Sequence, residues 1–398
     1  MPQFRTLDDL DVAGRRVLVR TDLNVPMADG RITDTTRIER TAQTIRDLAD
    51  RGARVVVLSH LGRPKGNPDP ALSLRPIADA LANAVGRPVA FANDCVGEAA
   101  EAAVAALADG EVALLENLRF HAGEEANDQG FADQLAGLGD FYVDDAFSCA
   151  HRAHASTDGV ARRLKSAAGR LMQVELESLG RALDDPARPL AALVGGAKIS
   201  TKLDVLVHLA GRVDMLIVGG AMANTFLQAQ GIDVGRSLSE PDMGATALKV
   251  METARGAGCD IVLPSDVVVA GELAPGTASR AVGLDEVGPD DMILDIGPRS
   301  AADLERRLAT VKTLVWNGPL GAFEFPPFDA ATNQVALAAA RLTQSGDLLS
   351  VAGGGDTVAA LAGAGVVDDF SYVSTAGGAF LEWLEGRTLP GVAALAIP

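Results

Sequence analysis

The chain has 398 residues, a formal net charge of −18, 48 % hydrophobic residues and only 4 % aromatic ones. That length exceeds one typical core, so two domains with interiors of Val, Leu, Ile and Ala are expected. The acidity excludes the extended basic surface that nucleic acid requires and argues against binding to an anionic membrane.

Apolar runs alternate with longer amphipathic segments, the pattern of a parallel α/β architecture with helices flanking the sheets. The first half predicts strands at Val17–Val19, Val55–Leu58, Val89–Phe91, Val112–Leu115 and Phe141–Val143, with helices at Ile38–Leu48 and Pro76–Ala84. Leu171, Met172, Val174, Leu176, Leu179 and Leu183 fall near helical spacing, and Asp184-Asp185-Pro186 ends that run. A connecting helix over Met172–Pro189 is expected there; an ordinary core helix would look the same. The second half predicts strands at Ala191–Val194, Leu216–Val218, Ile261–Leu263, Leu314–Trp316, Leu349–Val351 and Tyr372–Val373, with helices at Thr201–Leu209 and Thr357–Ala362. The three cysteines, Cys95, Cys149 and Cys259, form no CxxC pair, and the N-terminus has no apolar signal core. A soluble cytoplasmic protein in a reducing compartment is expected.

Almost every polar motif follows the carboxyl end of a strand, where open α/β sheets bind ligands. Arg20-Thr21-Asp22-Leu23-Asn24, Ser59-His60-Leu61-Gly62-Arg63, Glu116-Asn117-Leu118-Arg119 and Asp144-Asp145 through His151-Arg152 each take such a place, and Arg37 opens the first helix. One arginine alone reads as a surface salt bridge. Arg37, His60, Arg63, Arg119 and Arg152, each at a loop in register with a different strand of an acidic chain, read as a pocket for a small, highly anionic ligand. Asp22 suits a ligand hydroxyl, and Asn24 suits orienting the ligand or holding its own loop. His151 and His154, three apart, are a weak metal pair and read as structural groups.

In the second half, Gly195-Gly196-Ala197-Lys198-Ile199-Ser200-Thr201-Lys202 leaves a strand and opens a helix. The spacing predicts Lys198 and Lys202 on one helix face near its positive end, suited to a polyphosphate; a surface lysine pair reads equally well. Gly353-Gly354-Gly355-Asp356-Thr357 allows close backbone approach to phosphate, with Asp356 as a Mg²⁺ ligand, a helix N-cap, or both. Asn317 and Glu324 suit ribose hydroxyls, and Gly219-Gly220 suits a flat slot for a base. Ser374-Thr375-Ala376-Gly377-Gly378 repeats the strand–glycine–helix arrangement.

Together these motifs resemble the phosphoglycerate kinase family. The likeness keeps motif order over essentially the whole chain: RTDLNVP, LSHLGRPKG, ENLRFHAGEE, DDAFSCAHRAHAST, LVGGAKISTKL, VGGAMANTFL, LDIGP, VWNGPLGAFE, AGGGDT and STAGGAFLEWLEG. The resemblance implies two Rossmann-like domains joined by an interdomain helix: residues 1–171 for phosphoglycerate, 172–189 as the helix, 190–375 for nucleotide, and 376–398 returning to the first domain. It implies Mg²⁺-dependent, reversible phosphoryl transfer between ATP and the carboxylate of 3-phosphoglycerate, with hinge closure and a monomeric chain. Substrate contacts would fall to Asp22, Asn24, Arg37, His60, Gly62, Arg63, Arg119 and Arg152. Nucleotide contacts would fall to Lys202, Gly220, Asn317, Glu324, Gly354, Gly355, Asp356 and Thr357, with Asp356 holding the metal. Arg37, Lys198 and Lys202, with the backbone of Gly377 and Gly378, would steady the group in transfer. A carboxylate acceptor is already ionised, so no general base is required.

Four departures stand out. Ala376 and Ala221 take places where glycine is common, Phe380 replaces a small polar residue, and Ser148-Cys149 replaces a Gly-Thr pair. They bear on local backbone geometry and on the shape of the base pocket, and they remove no charged group. Cys149 reads as a buried inert thiol, with a reactive one as the alternative. A non-catalytic scaffold of the same family would be expected to lack Arg37, Lys202 or Asp356, and all are present. A nicotinamide dehydrogenase would want GxGxxG after an early strand, which is missing.

Overall fold

The computed structural model describes residues 3–28 and 30–397. The chain up to Glu177, together with the stretch from Thr388 onward, forms one compact unit; Ser178–Arg387 forms the other.

The first unit is built on β1 (Arg16–Arg20), the short hairpin β2 (Met27–Ala28) and β3 (Arg31–Ile32), β4 (Arg54–Leu58), β5 (Val89–Phe91), β6 (Val112–Leu114), β7 (Phe141–Asp144) and β8 (Lys165–Ala168). Its main sheet runs β5-β6-β4-β1-β7-β8 and is parallel throughout. β1 and β4 are buried on both faces, and so their sequences read as continuous apolar runs rather than as alternation. The chain lays β4 to β6 on one side of β1 and then crosses to β7 on the other. The crevice between the carboxyl ends of β1 and β7 is thus a topological switch point. The helix Thr36–Asp50 seals one face with Ile38, Ile45 and Leu48, all fully buried against Val17, Val19, Val55 and Val57. Phe4 bridges to Ala396, and Gly391 N donates to Ala150 O at 2.9 Å, which fixes the final segment on this unit.

The expected helix beyond Met172 is found as a regular helix over Arg170–Leu179 that widens into a turn over Gly180–Asp184. The buried Asp145 carboxylate accepts from Leu171 N and Met172 N and so caps its start.

The second unit repeats the plan with β9 (Leu190–Val194), β10 (Met215–Val218), β11 (Asp260–Val262), β12 (Asp266–Ala270), β13 (Ser279–Gly283), β14 (Met292–Ile296), β15 (Thr313–Asn317), β16 (Leu349–Gly353) and β17 (Tyr372–Ser374). The parallel sheet runs β11-β10-β9-β15-β16-β17, with its switch point between β9 and β15. Trp316, Leu314 and Leu193 pack beneath Val335, Ala336 and Ala339 of the helix Ala330–Gln344. A second, antiparallel sheet, β13-β12-β14, is absent from the sequence expectation, as are β8 and the β2–β3 hairpin. β8 reads Lys-Ser-Ala-Ala with no β-branched residue, and β13 and β14 mix charges into short apolar runs.

Candidate active site

In the first unit, β1 ends at Arg20, whose guanidinium is fully buried. Its Nε donates to Ser156 Oγ at 2.9 Å, and its two terminal nitrogens reach the Thr21 carbonyl, His60 Nδ1 (3.1 Å) and Cys149 Sγ (3.5 Å). Burial opposes its charge, but the Glu124 and Asp22 carboxylates nearby offset that, and Arg20 stays protonated. His60, only 4 % exposed, is held neutral by burial and by the nearby Arg20, Arg119 and Arg152. A buried cation thus forms the floor of the cluster. Glu124, fully buried, accepts from Ser156 N at 2.9 Å and Ser156 Oγ at 2.6 Å; burial raises its pKa, while Arg20 and the Ser156 bonds favour the ionised form that balances the floor's charge.

The loops above are cross-braced. Asn24 Oδ1 accepts from Gly62 N at 2.9 Å, so Asn24 holds one loop to the next. Arg119, 3 % exposed, donates to the Gly62 carbonyl at 2.8 Å, and the Asn117 side chain ties Leu61 O and Leu72 O. Gly62 itself has φ +62°, and a Cβ there would lie 2.6 Å from Leu72. Asp22 Oδ2 accepts from Arg37 at 2.8 Å and from Ser148 Oγ at 2.6 Å. Arg63 is exposed, and Arg152 donates to His151. Neither Arg63 nor Arg152 has a carboxylate partner among the described residues. Ser148 of the Ser148-Cys149 departure therefore adds a hydroxyl to Asp22, while burial raises the Cys149 thiol pKa and leaves it inert at neutral pH. His154 is kept neutral chiefly by burial, which with the surrounding arginines brings its pKa down to about 4.

In the second unit, the shared helix face expected for Lys198 and Lys202 does not form. A 3₁₀ turn, Ile199–Thr201, separates them, and the α-helix begins only at Leu203. Lys198 stands exposed with an extended backbone before that turn. Lys202 turns inward, its Nζ 2.5 Å from Asn317 Oδ1 and 3.1 Å from Asn317 O. Burial brings its pKa down to about 8, with Asp356 pulling it partly back.

Asn317 Nδ2 donates to Gly353 O at 2.7 Å, and Gly318 N donates to Thr357 Oγ1 at 2.7 Å. The glycines here allow backbone to meet backbone: a Cβ on Gly195 would lie 1.9 Å from Pro319 O, and one on Gly220 (φ +67°) 2.6 Å from Gly196 O. Gly354, not Asp356, is the N-cap of the helix Gly355–Gly363. Asp356 lies exposed in its first turn and makes no side-chain hydrogen bond or ion pair among the described residues. Gly377 and Gly378 open the helix Gly377–Leu384, where backbone N–H groups lack helical acceptors. Ala376, the residue before them, has φ −92°, so no glycine is required there.

A cavity of about 360 Å³ opens beside this cluster. Gly220, Ala221, Leu238, Met292 and Leu320 give it an apolar lining, with Glu324 and Asp356 among its polar groups. Those dimensions and that lining suit a planar apolar body with a polar end.

The phosphoglycerate kinase family model matches residues 7–387. The phosphoglycerate kinase of Rhodospirillum centenum is 62 % identical over 392 residues, covering 98 % of this chain and 99 % of that protein. That of Methylorubrum extorquens is 60 % identical over 396 residues, 99 % of each. The chain belongs to the phosphoglycerate kinase family. Among solved structures, phosphoglycerate kinase from Coxiella burnetii superposes with a TM-score of 0.93 at 42 % identity, covering 99 % of both chains. The Pyrococcus horikoshii enzyme gives 0.80 at 31 % identity, over 99 % of this chain and 98 % of that one. The phosphoglycerate kinase reaction is reversible phosphoryl transfer between ATP and the carboxylate of 3-phosphoglycerate, a step of glycolysis and gluconeogenesis. No helix among the described residues is long and apolar enough to cross a membrane.

Glu124 and Ser156 went unmarked in the sequence. Glu124 stands beside Glu125 in a motif where either could face inward, and nothing local links the Ser156 hydroxyl to the strand-end Arg20, which it meets across the fold.

Proposed function

We propose that 3-phosphoglycerate binds the first unit through Asp22, Asn24, Arg37, His60, Gly62, Arg63, Arg119 and Arg152. The observation that carries this reading is the buried Arg20–His60 floor beneath loops bearing Arg63 and Arg152, whose charges lack carboxylate partners among the described residues. Neutral His60 donates or accepts without adding repulsion, and Asp22 receives a substrate hydroxyl beside Arg37 and Ser148.

ATP takes the second unit, its base in the Gly220–Leu238–Leu320 cavity and its ribose toward Glu324. Lys202 and the N–H groups of Gly355, Asp356 and Thr357 face its phosphates. Asn317 acts through Lys202, which it holds, and Gly354 keeps the turn open, since a Cβ there would lie 2.6 Å from Asn317 Nδ2. Asp356, an uncommitted hard oxygen donor at a phosphate-facing turn, fits Mg²⁺, which takes few carboxylates and completes its shell with water and phosphate. Bound there, Mg²⁺ would neutralise charge on the nucleotide phosphates.

Catalysis is then positioning and charge neutralisation. Arg37, Lys198 and Lys202, with the backbone of Gly377 and Gly378, stabilise the equatorial oxygens of the group in flight, and the substrate carboxylate attacks without losing a proton. Transfer without loss to water calls for the two ligands to be brought together in turnover, by closure about the helix that starts at Arg170. Scattering that shows no compaction with both ligands bound would rule that closure out. The deciding experiment for the site is Mg²⁺-dependent ADP formation from ATP and 3-phosphoglycerate in a coupled assay. Turnover requiring all three components supports the reading; binding of both ligands without turnover overturns it.

A further inference from the structure

We propose that Asp94, Cys95 and His121 form a site for one divalent ion of the zinc class, tying the loop after β5 to the turn that carries Arg119. One ligand atom from each residue lies within 4.8 Å of the others, which offers an oxygen, a nitrogen and a sulfur. That mixed set suits Zn²⁺ and leaves a fourth position for water. His121 Nε2 already donates to Asp94 Oδ1 at 2.7 Å, and its ring is fixed by stacking on Phe131, centroids 5.1 Å apart. The imidazole and carboxylate are therefore held facing one another before any ion arrives. Cys95 is buried, whereas the Asp94 and His121 side chains are 45 % and 33 % exposed, which gives an ion a route in.

Charge separates this cluster from the other one of similar composition. Asp22, His60 and Cys149 also bring their donor atoms within 4.8 Å, but the Arg20 guanidinium lies among them, 3.1 Å from His60 and 3.5 Å from Cys149. A cation already occupies that place. Among the described residues no arginine or lysine bonds to the side chains of Asp94, Cys95 or His121; the Asp94 carboxylate instead accepts from His121 and from Cys95 N, each at 2.7 Å.

Coordination balances as follows. The Cys95 S–H proton leaves to solvent as the S–metal bond forms, and the ring proton of His121 moves from Nε2 to Nδ1, so the imidazole stays neutral. One proton is released per ion bound.

The test is Zn²⁺ titration of the full chain by calorimetry in two buffers, with Co²⁺ as a spectroscopic stand-in for thiolate ligation. One equivalent should bind with release of one proton and a thiolate-to-cobalt charge-transfer band. Cys95→Ser should abolish the band, and His121→Gln, at a partly exposed ring, should weaken binding by about 10-fold or more. Cys259→Ala should change neither. Saturating 3-phosphoglycerate should leave binding intact. Absence of stoichiometric binding, survival of the cobalt band in Cys95→Ser, or displacement of the ion by 3-phosphoglycerate would each overturn the proposal, the last by placing the ion on Asp22, His60 and Cys149. Substrate turnover by each variant reports that it has folded.

Discussion

Lys202 Nζ lies 2.5 Å from Asn317 Oδ1, and the other end of the same amide donates to Gly353 O at 2.7 Å. One side chain at the end of β15 thus fixes an ammonium group relative to β16, whose loop carries Asp356. Removing that amide leaves Lys202 with the Asn317 carbonyl alone. A hydrogen bond to a charged group contributes about 1.5–3 kcal/mol. Asn317→Ala should therefore lower kcat/KM for ATP by roughly 10- to 100-fold. KM for 3-phosphoglycerate should stay near its original value, and Lys202→Ala should behave likewise but more severely. Steady-state kinetics with each substrate varied in turn decides it; equal loss for both substrates would show that Lys202 does not serve the nucleotide.

The lowered pKa of Lys202, about 8 against 10.5 for the free side chain, makes a second expectation. Between those values the unfolded chain holds more protons than the folded one. The penalty of burying this cation is therefore complete below pH 8 and is relieved as pH rises toward 10.5. Nucleotide phosphates near Lys202 would raise its pKa again. ATP binding near pH 8 should then take up a fraction of a proton, measurable as a buffer-dependent binding enthalpy. Lys202→Arg, charged throughout this range, should bind ATP without that uptake. The same uptake in the variant would assign the proton to another group.

Beneath the first-unit cluster, Arg20 and Glu124 are both fully buried and meet through Ser156. Breaking a buried pair in direct contact costs about 3–5 kcal/mol; here Ser156 bridges the two and Asp22 also faces Arg20, which makes that figure the ceiling. Glu124→Ala should destabilise the chain by up to that amount and lower its melting temperature. Because His60 and Arg119 both sense Arg20, the loss should also raise KM for 3-phosphoglycerate. A variant with unchanged melting temperature and unchanged KM would mean that Glu124 is not the counter-charge.

How much of this could be read in advance differs by residue. β4 and β9, read from sequence as residues 55–58 and 191–194, are visible because strands buried on both faces leave uninterrupted apolar runs. The strand-end arginines are visible because a parallel sheet sends every carboxyl end to one edge. Nothing local distinguishes Arg20, which turns inward, from Arg63, which turns out; that depends on Ser156, His60 and Cys149 arriving from distant strands. The four-residue spacing of Lys198 and Lys202 misleads because helical periodicity assumes a helix, and a 3₁₀ turn lies between them. Asn317 likewise gives no sign in sequence that both ends of its amide are bonded.

Phe380 offers the last test. Where the motif resemblance leads one to expect a small polar residue, this chain places a fully buried ring, 6.0 Å from the Trp383 ring. A Cβ on Gly353 would meet that ring at 2.7 Å, so the aromatic substitution and the bare strand-end glycine fit one another. Phe380→Ser should empty the space and cost about 3–5 kcal/mol, the range for truncating a buried Phe. Gly353→Ala alone should also destabilise, by overpacking against a fully buried ring, about 1–3 kcal/mol. In the double variant the new methyl occupies part of the vacated volume, so the two losses should sum to clearly more than the loss observed. Urea denaturation of the four proteins gives the coupling directly. Strict additivity would mean that Phe380 does not constrain the end of β16, and that this departure leaves the nucleotide-side loop untouched.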